Sequence, residues 1–199
     1  MSAKEYFDNV ADTWDQKFLT SALSTFLENF VPQFGIKLGQ NILDVGTGTG
    51  VLIPFLVKAV GSAGSVYAID VSEKMVQNFN KKHGHQKNVQ VNVANIEDVA
   101  FLPQTFDAVV CFGVFPHIDN KPKALQNINR ILKPNGALVI AHALSSEELK
   151  MHHKKVSHRV EHSVLPKNAE MTQLLEQAGF TDISIKDEPG CYLCISRKA

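Results

Sequence analysis

Residues 41–50, NILDVGTGTG, constrain the fold more than any other stretch of this chain. Ile42, Leu43 and Val45 form a short apolar run of strand-forming residues. The run stops at Gly46, Gly48 and Gly50, which alternate with Thr47 and Thr49, and VLIPFLVKAV then reads as a helix near 50–60. A strand that ends in a glycine-rich turn and feeds a helix is how an open α/β sheet builds a nucleotide site. Glycine lets a ligand come close to the backbone and tolerates positive φ. The free amides and the positive dipole end of the helix's first turn are then expected to face the ligand.

The spacing narrows the ligand. Dinucleotide sites use G-x-G-x-x-G, whereas here the glycines fall as G-x-G-x-G. A second strand-like run, SVYAID, ends in Asp70, 24 residues after Gly46. An acid at the tip of that strand suits a ribose diol, because a carboxylate accepts from both hydroxyls. Asp44, two residues before Gly46, has no counterpart in the dinucleotide pattern. Together these residues resemble the class I S-adenosylmethionine-dependent methyltransferases, whose first motif is a hydrophobic run followed by D-x-G-x-G-x-G. The resemblance implies S-adenosyl-L-methionine as cofactor and S-adenosyl-L-homocysteine as product. It also implies Asp44, Gly46, Thr47, Gly48, Gly50 and Asp70 as cofactor-binding residues.

Beyond this stretch, strands and helices alternate, the signature of a parallel sheet with crossovers. Strands are expected at 41–45, 65–70, 88–93 and 105–112, then at ALVIAHA after a KPNG turn. Ser72 reads as the N-cap of a helix closed by Gly84, and Pro122 suits the first turn of a helix over 122–132. Ser145 and Glu148 read as a capping box opening a helix over 146–165. NAEMTQLLEQAGF forms a shorter helix ending at Gly179. The chain closes with TDISIKD and CYLCISR joined by EPG; so short a turn makes them antiparallel, since parallel partners need a crossover of about a dozen residues or more. The expected fold is an α/β three-layer doubly wound sandwich. Its seven-stranded sheet is mostly parallel with an antiparallel terminal hairpin strand, as in the resembled family. One methyltransferase domain is expected over 1–199, with a helical cap at 1–38, a cofactor core at 39–145, and acceptor-side helices with the hairpin at 146–199.

KEYFDNVADTWDQKF carries Tyr6, Phe7, Val10, Trp14 and Phe18 close to a helical stripe. Y-F-D-x-V-A-x-x-W-D also resembles the amino-terminal cap of methyltransferases related to ubiquinone and menaquinone biosynthesis (the methyltransferase type 11 group). In that group the segment folds over the cofactor, which implies Tyr6 and Trp14 as lid residues. Plain core packing explains the same stripe equally well. The resemblance further implies Val71 and Ile96 as a sandwich around adenine, with Asn95 standing where the family usually has an acid. An amide can accept from the adenine amino group and donate to a ring nitrogen. At the end of the fourth strand, CFGVFPHI, it implies Cys111 and Phe112 against the methionine part and His117 at the mouth of the site. Phe112 departs from the polar residue often found there.

Methyl transfer mainly asks that acceptor, methyl carbon and sulfur be held in line, which can supply roughly 7–11 kcal/mol of the barrier. A base is needed only if the acceptor loses a proton, and is then worth about 10²–10⁴-fold. Five of the eight histidines, His142, His152, His153, His158 and His162, lie between 142 and 162. One reading is a solvated helix covering the acceptor pocket. The other has His142 and His152 or His153 converging, with His117, as a base or a metal site. His117, His142 and His153 are the catalytic candidates; no metal is assigned.

Twenty basic and twenty acidic residues balance. The chain therefore lacks the basic excess that phosphates call for, and no nucleic-acid partner is expected. The amino terminus is polar and acidic, and no run has the apolar length of a membrane span. Cys111, Cys191 and Cys194 are too few for a disulfide framework, and a cytoplasmic monomer or homodimer acting on a small-molecule methyl acceptor is expected. No N-P-P-Y follows the fourth strand, which argues against adenine or glutamine N-methylation. The cysteine set does not resemble that of arsenite methyltransferases. Two alternatives stand beside the enzyme: a non-catalytic S-adenosylmethionine-binding or partner protein, and an NAD-dependent oxidoreductase.

Overall fold

Asn41–Val45 (β1) is a buried parallel strand, and its apolar residues lie in register with those of Ser65–Asp70 (β2). A computed structural model of the chain describes residues 3–156 and 163–199. Seven strands form the sheet in the order β3-β2-β1-β4-β5-β7-β6. The remaining strands are Val89–Val93 (β3), Phe106–Phe112 (β4), Leu132–His142 (β5), Phe180–Glu188 (β6) and Cys191–Lys198 (β7). The β1–β2, β2–β3 and β4–β5 pairs are parallel, whereas β7 runs antiparallel to both β5 and β6. The expected α/β class and reversed terminal hairpin are both present. The chain falls into two compact units, Met1–Asn95 and Ile96–Ala199.

In the first unit, Ala3–Val10 (α1), Trp14–Phe18 (α2) and Ser21–Phe30 (α3) precede the sheet, and Ile53–Val60 (α4) and Glu73–His83 (α5) follow β1 and β2. The Tyr6-to-Phe18 stripe is not one helix: a 3₁₀ turn at Ala11–Thr13 interrupts it. Asp12 and Thr13 are weak helix formers that compete for backbone groups, and Thr13 Oγ1 bonds the Val10 carbonyl at 3.3 Å. Helix α4 starts at Ile53, later than the sequence suggested, because residues 46–52 are taken up by turns. Ser72 caps α5 as expected, accepting from the Met75 amide at 3.1 Å. Gly84 closes α5 in an ordinary helical conformation, with φ −61°, and not in the left-handed one typical of a glycine cap.

In the second unit, Lys121–Ile131 (α6) runs between β4 and β5, Ser146–Val156 (α7) follows β5, and Asn168–Gln177 (α8) precedes β6. KPNG is an excursion inside β5: Phe106 pairs with Leu132 and Ala108 with Ala137, so six residues face three, with Asn135 at φ 61°. Ser145 and Glu148 do form the capping box, with the Glu148 carboxylate 2.9 Å from the Ser145 amide. The expected helix over 146–165 is shorter, because residues 163–167 are not helical. His158 and His162 lie outside the described residues, as does the side chain of His153. Cys191 and Cys194 are free thiols three residues apart on β7, hence on opposite faces. Among the described residues, no helix is long and apolar enough to cross a membrane.

Candidate cofactor site

The tip of β1 carries the first functional residues. Gly46, Gly48 and Gly50 all have positive φ, at 68°, 56° and 90°. The Gly46 and Thr47 amides both reach the Ile69 carbonyl of β2, at 2.8 and 3.1 Å, which folds the loop back over β2. Asp70, at the tip of β2, is buried and accepts from the Gly48 amide at 2.8 Å and the Ser72 amide at 2.9 Å. The Gly48 amide is therefore held by the acid of β2. Burial raises the Asp70 pKa, and these two amides offset part of that rise.

Asp44 is 2% exposed, and its Oδ2 has no hydrogen-bond partner among the described residues. Burial pushes its carboxyl up to about 7; the neighbouring Thr47 hydroxyl offsets part of that rise and the Asp70 charge adds to it. Two buried carboxylates thus flank one glycine loop, an arrangement costly to the fold unless a cation or a set of donors meets them.

Gly48 and Gly50 have different reasons. A Cβ at Gly48 would meet nothing nearer than Trp14 Nε1 at 3.8 Å, so this position is open beneath an indole. A Cβ at Gly50 would lie 2.5 Å from His83 Cδ2 and 2.7 Å from His83 Nε2. Gly50 is required by the buried imidazole behind the loop, which sequence spacing could not reveal. Burial lowers the pKa of His83, and its Nδ1 lies 3.1 Å from the Gln86 amide nitrogen.

The amino-terminal segment is fastened to this region. Tyr6 and Trp14 are half-buried and linked through Phe7, with ring centroids 5.3 Å apart for Tyr6–Phe7 and 5.8 Å for Phe7–Trp14. Asp8 accepts from Ser72 Oγ at 2.6 Å, and Asn78 donates to the Ala11 carbonyl at 3.2 Å. Val71 is half-buried just after β2, while Asn95 is exposed two residues past β3.

In the second unit, Ile96 is buried at the head of a loop that α6 pins from its polar face. Asn127 donates to the Ile96 and Glu97 carbonyls at 3.2 and 2.6 Å, and Arg130 to Phe101 and Val99 at 2.6 and 2.9 Å. Glu97 takes the Asn120 amide at 3.1 Å and Asp98 pairs with Lys123, so both acids of this stretch bind α6. Cys111 is fully buried near the end of β4, and Phe112 is half-buried beside it. His117 sits in a 3₁₀ turn whose neighbours Phe115, Pro116 and Ile118 are buried. Lys121 holds that turn by donating to the Pro116 and Ile118 carbonyls at 3.2 and 2.8 Å.

His142, the last residue of β5, is 3% exposed and opposite Tyr192 of β7, with ring centroids 6.3 Å apart. His152 is exposed on α7. Asp187 anchors the start of that helix, accepting from the Ser146 amide at 2.9 Å and its hydroxyl at 2.5 Å. Among the described residues, no group of three or more His, Cys, Asp or Glu side chains is placed to hold a metal ion.

Residues 36–179 match the family model described as a methyltransferase domain. The chain belongs to that family. Its curated relatives include the ubiquinone/menaquinone biosynthesis C-methyltransferase UbiE of Hahella chejuensis, 30% identical over 141 residues, which are 67% of this chain and 56% of that protein. The chain therefore spans about half the length of the curated relatives it matches. Among solved structures, a SAM-dependent methyltransferase from Aquifex aeolicus is 29% identical with a TM-score of 0.73, covering 87% of this chain and 89% of that one. Haemonchus contortus phosphoethanolamine N-methyltransferase 2, in complex with S-adenosyl-L-methionine, shares the methyltransferase fold at a TM-score of 0.77 and 17% identity, covering 98% of this chain and 58% of that one.

Proposed function

We propose that this methyltransferase-family chain binds S-adenosyl-L-methionine at the glycine loop of β1 and transfers its methyl group to a small-molecule acceptor by in-line displacement. The observation that carries the reading is Asp44 Oδ2, a buried carboxylate oxygen with no hydrogen-bond partner among the described residues, close enough to Asp70 to feel its charge. A dinucleotide brings phosphate charge that two buried acids would repel. S-adenosylmethionine carries a sulfonium and an α-ammonium, and suits them.

The residues fit the group. Asp44 would receive the cationic end, and Asp70 would accept from the ribose hydroxyls while keeping its backbone donors. Val71 and Ile96 would line the adenine, with Asn95 at its edge. Gly46, Thr47 and Gly48 would carry the backbone that faces the methionine part, and Cys111 and Phe112 would wall it. Tyr6 and Trp14, in the 1–38 cap, would cover it. When bound, S-adenosylmethionine supplies an activated methyl group on a good leaving group. The chain's own part is to orient the acceptor, exclude water and, for an acceptor that must lose a proton, take that proton at an imidazole. His117, His142 and His153 are the candidates for that step, and residues 1–199 act as one domain.

Calorimetric titration of the intact chain tests the cofactor assignment. S-adenosylmethionine and S-adenosylhomocysteine are expected to bind, with Asp44→Asn weakening the cationic cofactor more than its neutral product. Tight NADH binding with no response to either compound would overturn it.

A further inference from the structure

Both aspartates of the amino-terminal Y-F-D…W-D pattern are engaged at the cofactor end of the first unit, Asp8 by Ser72 and Asp15 by Thr49. Asp15 does so through a closed triangle. Thr49 Oγ1 donates to Asp15 Oδ1 at 2.5 Å, and Lys82 Nζ donates to Asp15 Oδ2 at 2.7 Å and to Thr49 Oγ1 at 3.0 Å. Thr49 belongs to the glycine loop and is 1% exposed; its hydroxyl both donates and accepts. Lys82 stands in the last turn of α5. Trp14 precedes Asp15 in the first turn of α2, so whatever fixes Asp15 also fixes the indole above Gly48.

We propose that Asp15, Thr49 and Lys82 form a strap that holds Trp14 over the glycine loop and sets how long S-adenosylmethionine stays bound, an inference that rests on the cofactor reading above. They are positioning residues, since none of them has to touch the cofactor. The buried hydroxyl gives the strap its specificity. The Asp15 and Lys82 side chains are 39% and 31% exposed, so their ion pair alone would be screened and weak. Thr49 ties that pair to the loop with two further hydrogen bonds. Valine at this position would match the shape and make neither. The more exposed Lys4–Glu73 pair, at 47% and 62%, also joins the cap to α5 and serves as the comparison.

The chain has a single tryptophan, so its fluorescence reports the strapped segment directly. The intact chain loaded with S-adenosylmethionine is mixed with excess S-adenosylhomocysteine, and the rate of release is read from Trp14 emission. Thr49→Val and Lys82→Met are expected to release the cofactor roughly three- to tenfold faster, while Thr49→Ser stays within about twofold of the parent. Glu73→Gln should match the parent. Thermal melts confirm that each variant is folded. In cofactor-free protein, tryptic cleavage after the exposed Lys17 should quicken in Thr49→Val and Lys82→Met. Parental release from a folded Thr49→Val overturns the strap, whatever the cleavage rate. If the parent binds neither compound, the functional reading falls and Lys17 decides the strap alone: faster cleavage supports it, and parental cleavage overturns it.

Discussion

The carboxylate of Asp70 accepts the Gly48 amide at 2.8 Å, so the acid ending β2 holds the middle glycine of the loop that follows β1. The residue that would bind the ribose also shapes the backbone beside it. Asp70→Ala removes the acceptor for two buried amides, Gly48 and Ser72. We expect it to cost about 1–3 kcal/mol of stability and to weaken S-adenosylmethionine by about 2–4 kcal/mol. Denaturant unfolding and calorimetry measure the two effects separately. A folded variant with parental affinity would exclude Asp70 from the site.

Asp44 makes the cofactor-free protein sensitive to pH. Its carboxyl sits at about 7 instead of the ordinary 3.8, so between these values the folded chain holds a proton that the unfolded chain has lost. Stability should fall as pH rises through that window and stay low above it, by up to roughly 4 kcal/mol. Asp44→Asn should flatten the slope and raise the melting temperature at pH 8 relative to the parent. Its cofactor affinity should drop at the same time, because the ionised form is the one that meets a cation. Parallel slopes in parent and variant between pH 4.5 and 8 would show that Asp44 is not the titrating group.

Gly48 and Gly50 should separate on substitution. Both have positive φ, so alanine costs roughly 1–2 kcal/mol at either. At Gly48 nothing else stands in the way, and the variant should fold while losing cofactor affinity. At Gly50 the methyl would run into the His83 ring at 2.5 Å, so the loss of stability should be clearly larger. His83→Ala should recover part of it. Equal melting temperatures for the two alanine variants would contradict this division.

These contrasts mark what a sequence can carry. The strand, the glycine turn and Asp70 were legible because their spacing is local and their chemistry is distinctive. So was the capping box at Ser145, where partners stand three residues apart. The reversed β7 followed from a turn too short for a crossover. The triangle of Asp15, Thr49 and Lys82 joins residues 33 to 67 positions apart, and such pairs leave no periodic trace. The same holds for Gly50 and His83, and for the Asn127 and Arg130 side chains that pin the Ile96 loop. The broken cap helix was missed because a hydrophobic stripe survives a single 3₁₀ turn. Of the histidines, the pattern gave their number and neighbourhood, whereas burial divides His142 from the exposed His152.

The end of β5 offers the last test. Tyr192 is fully buried, and its hydroxyl has no hydrogen-bond partner among the described residues; burial raises its pKa. A buried, unsatisfied hydroxyl costs about 1–3 kcal/mol, and removing it while keeping the ring should return part of that. Tyr192→Phe is therefore expected to melt at the parental temperature or about 2–4 °C above it. His142→Ala should instead lose stability, because it removes a buried ring packed edge-on against Tyr192. In a methylation assay with a competent acceptor, His142→Ala should lose roughly 10²–10⁴-fold in kcat with unchanged S-adenosylmethionine affinity, if that imidazole takes the acceptor's proton. A loss of only the stability would assign His142 to packing. Destabilisation of Tyr192→Phe by more than about 1 kcal/mol would mean that the hydroxyl has a partner in solution, with His142 the first neighbour to examine.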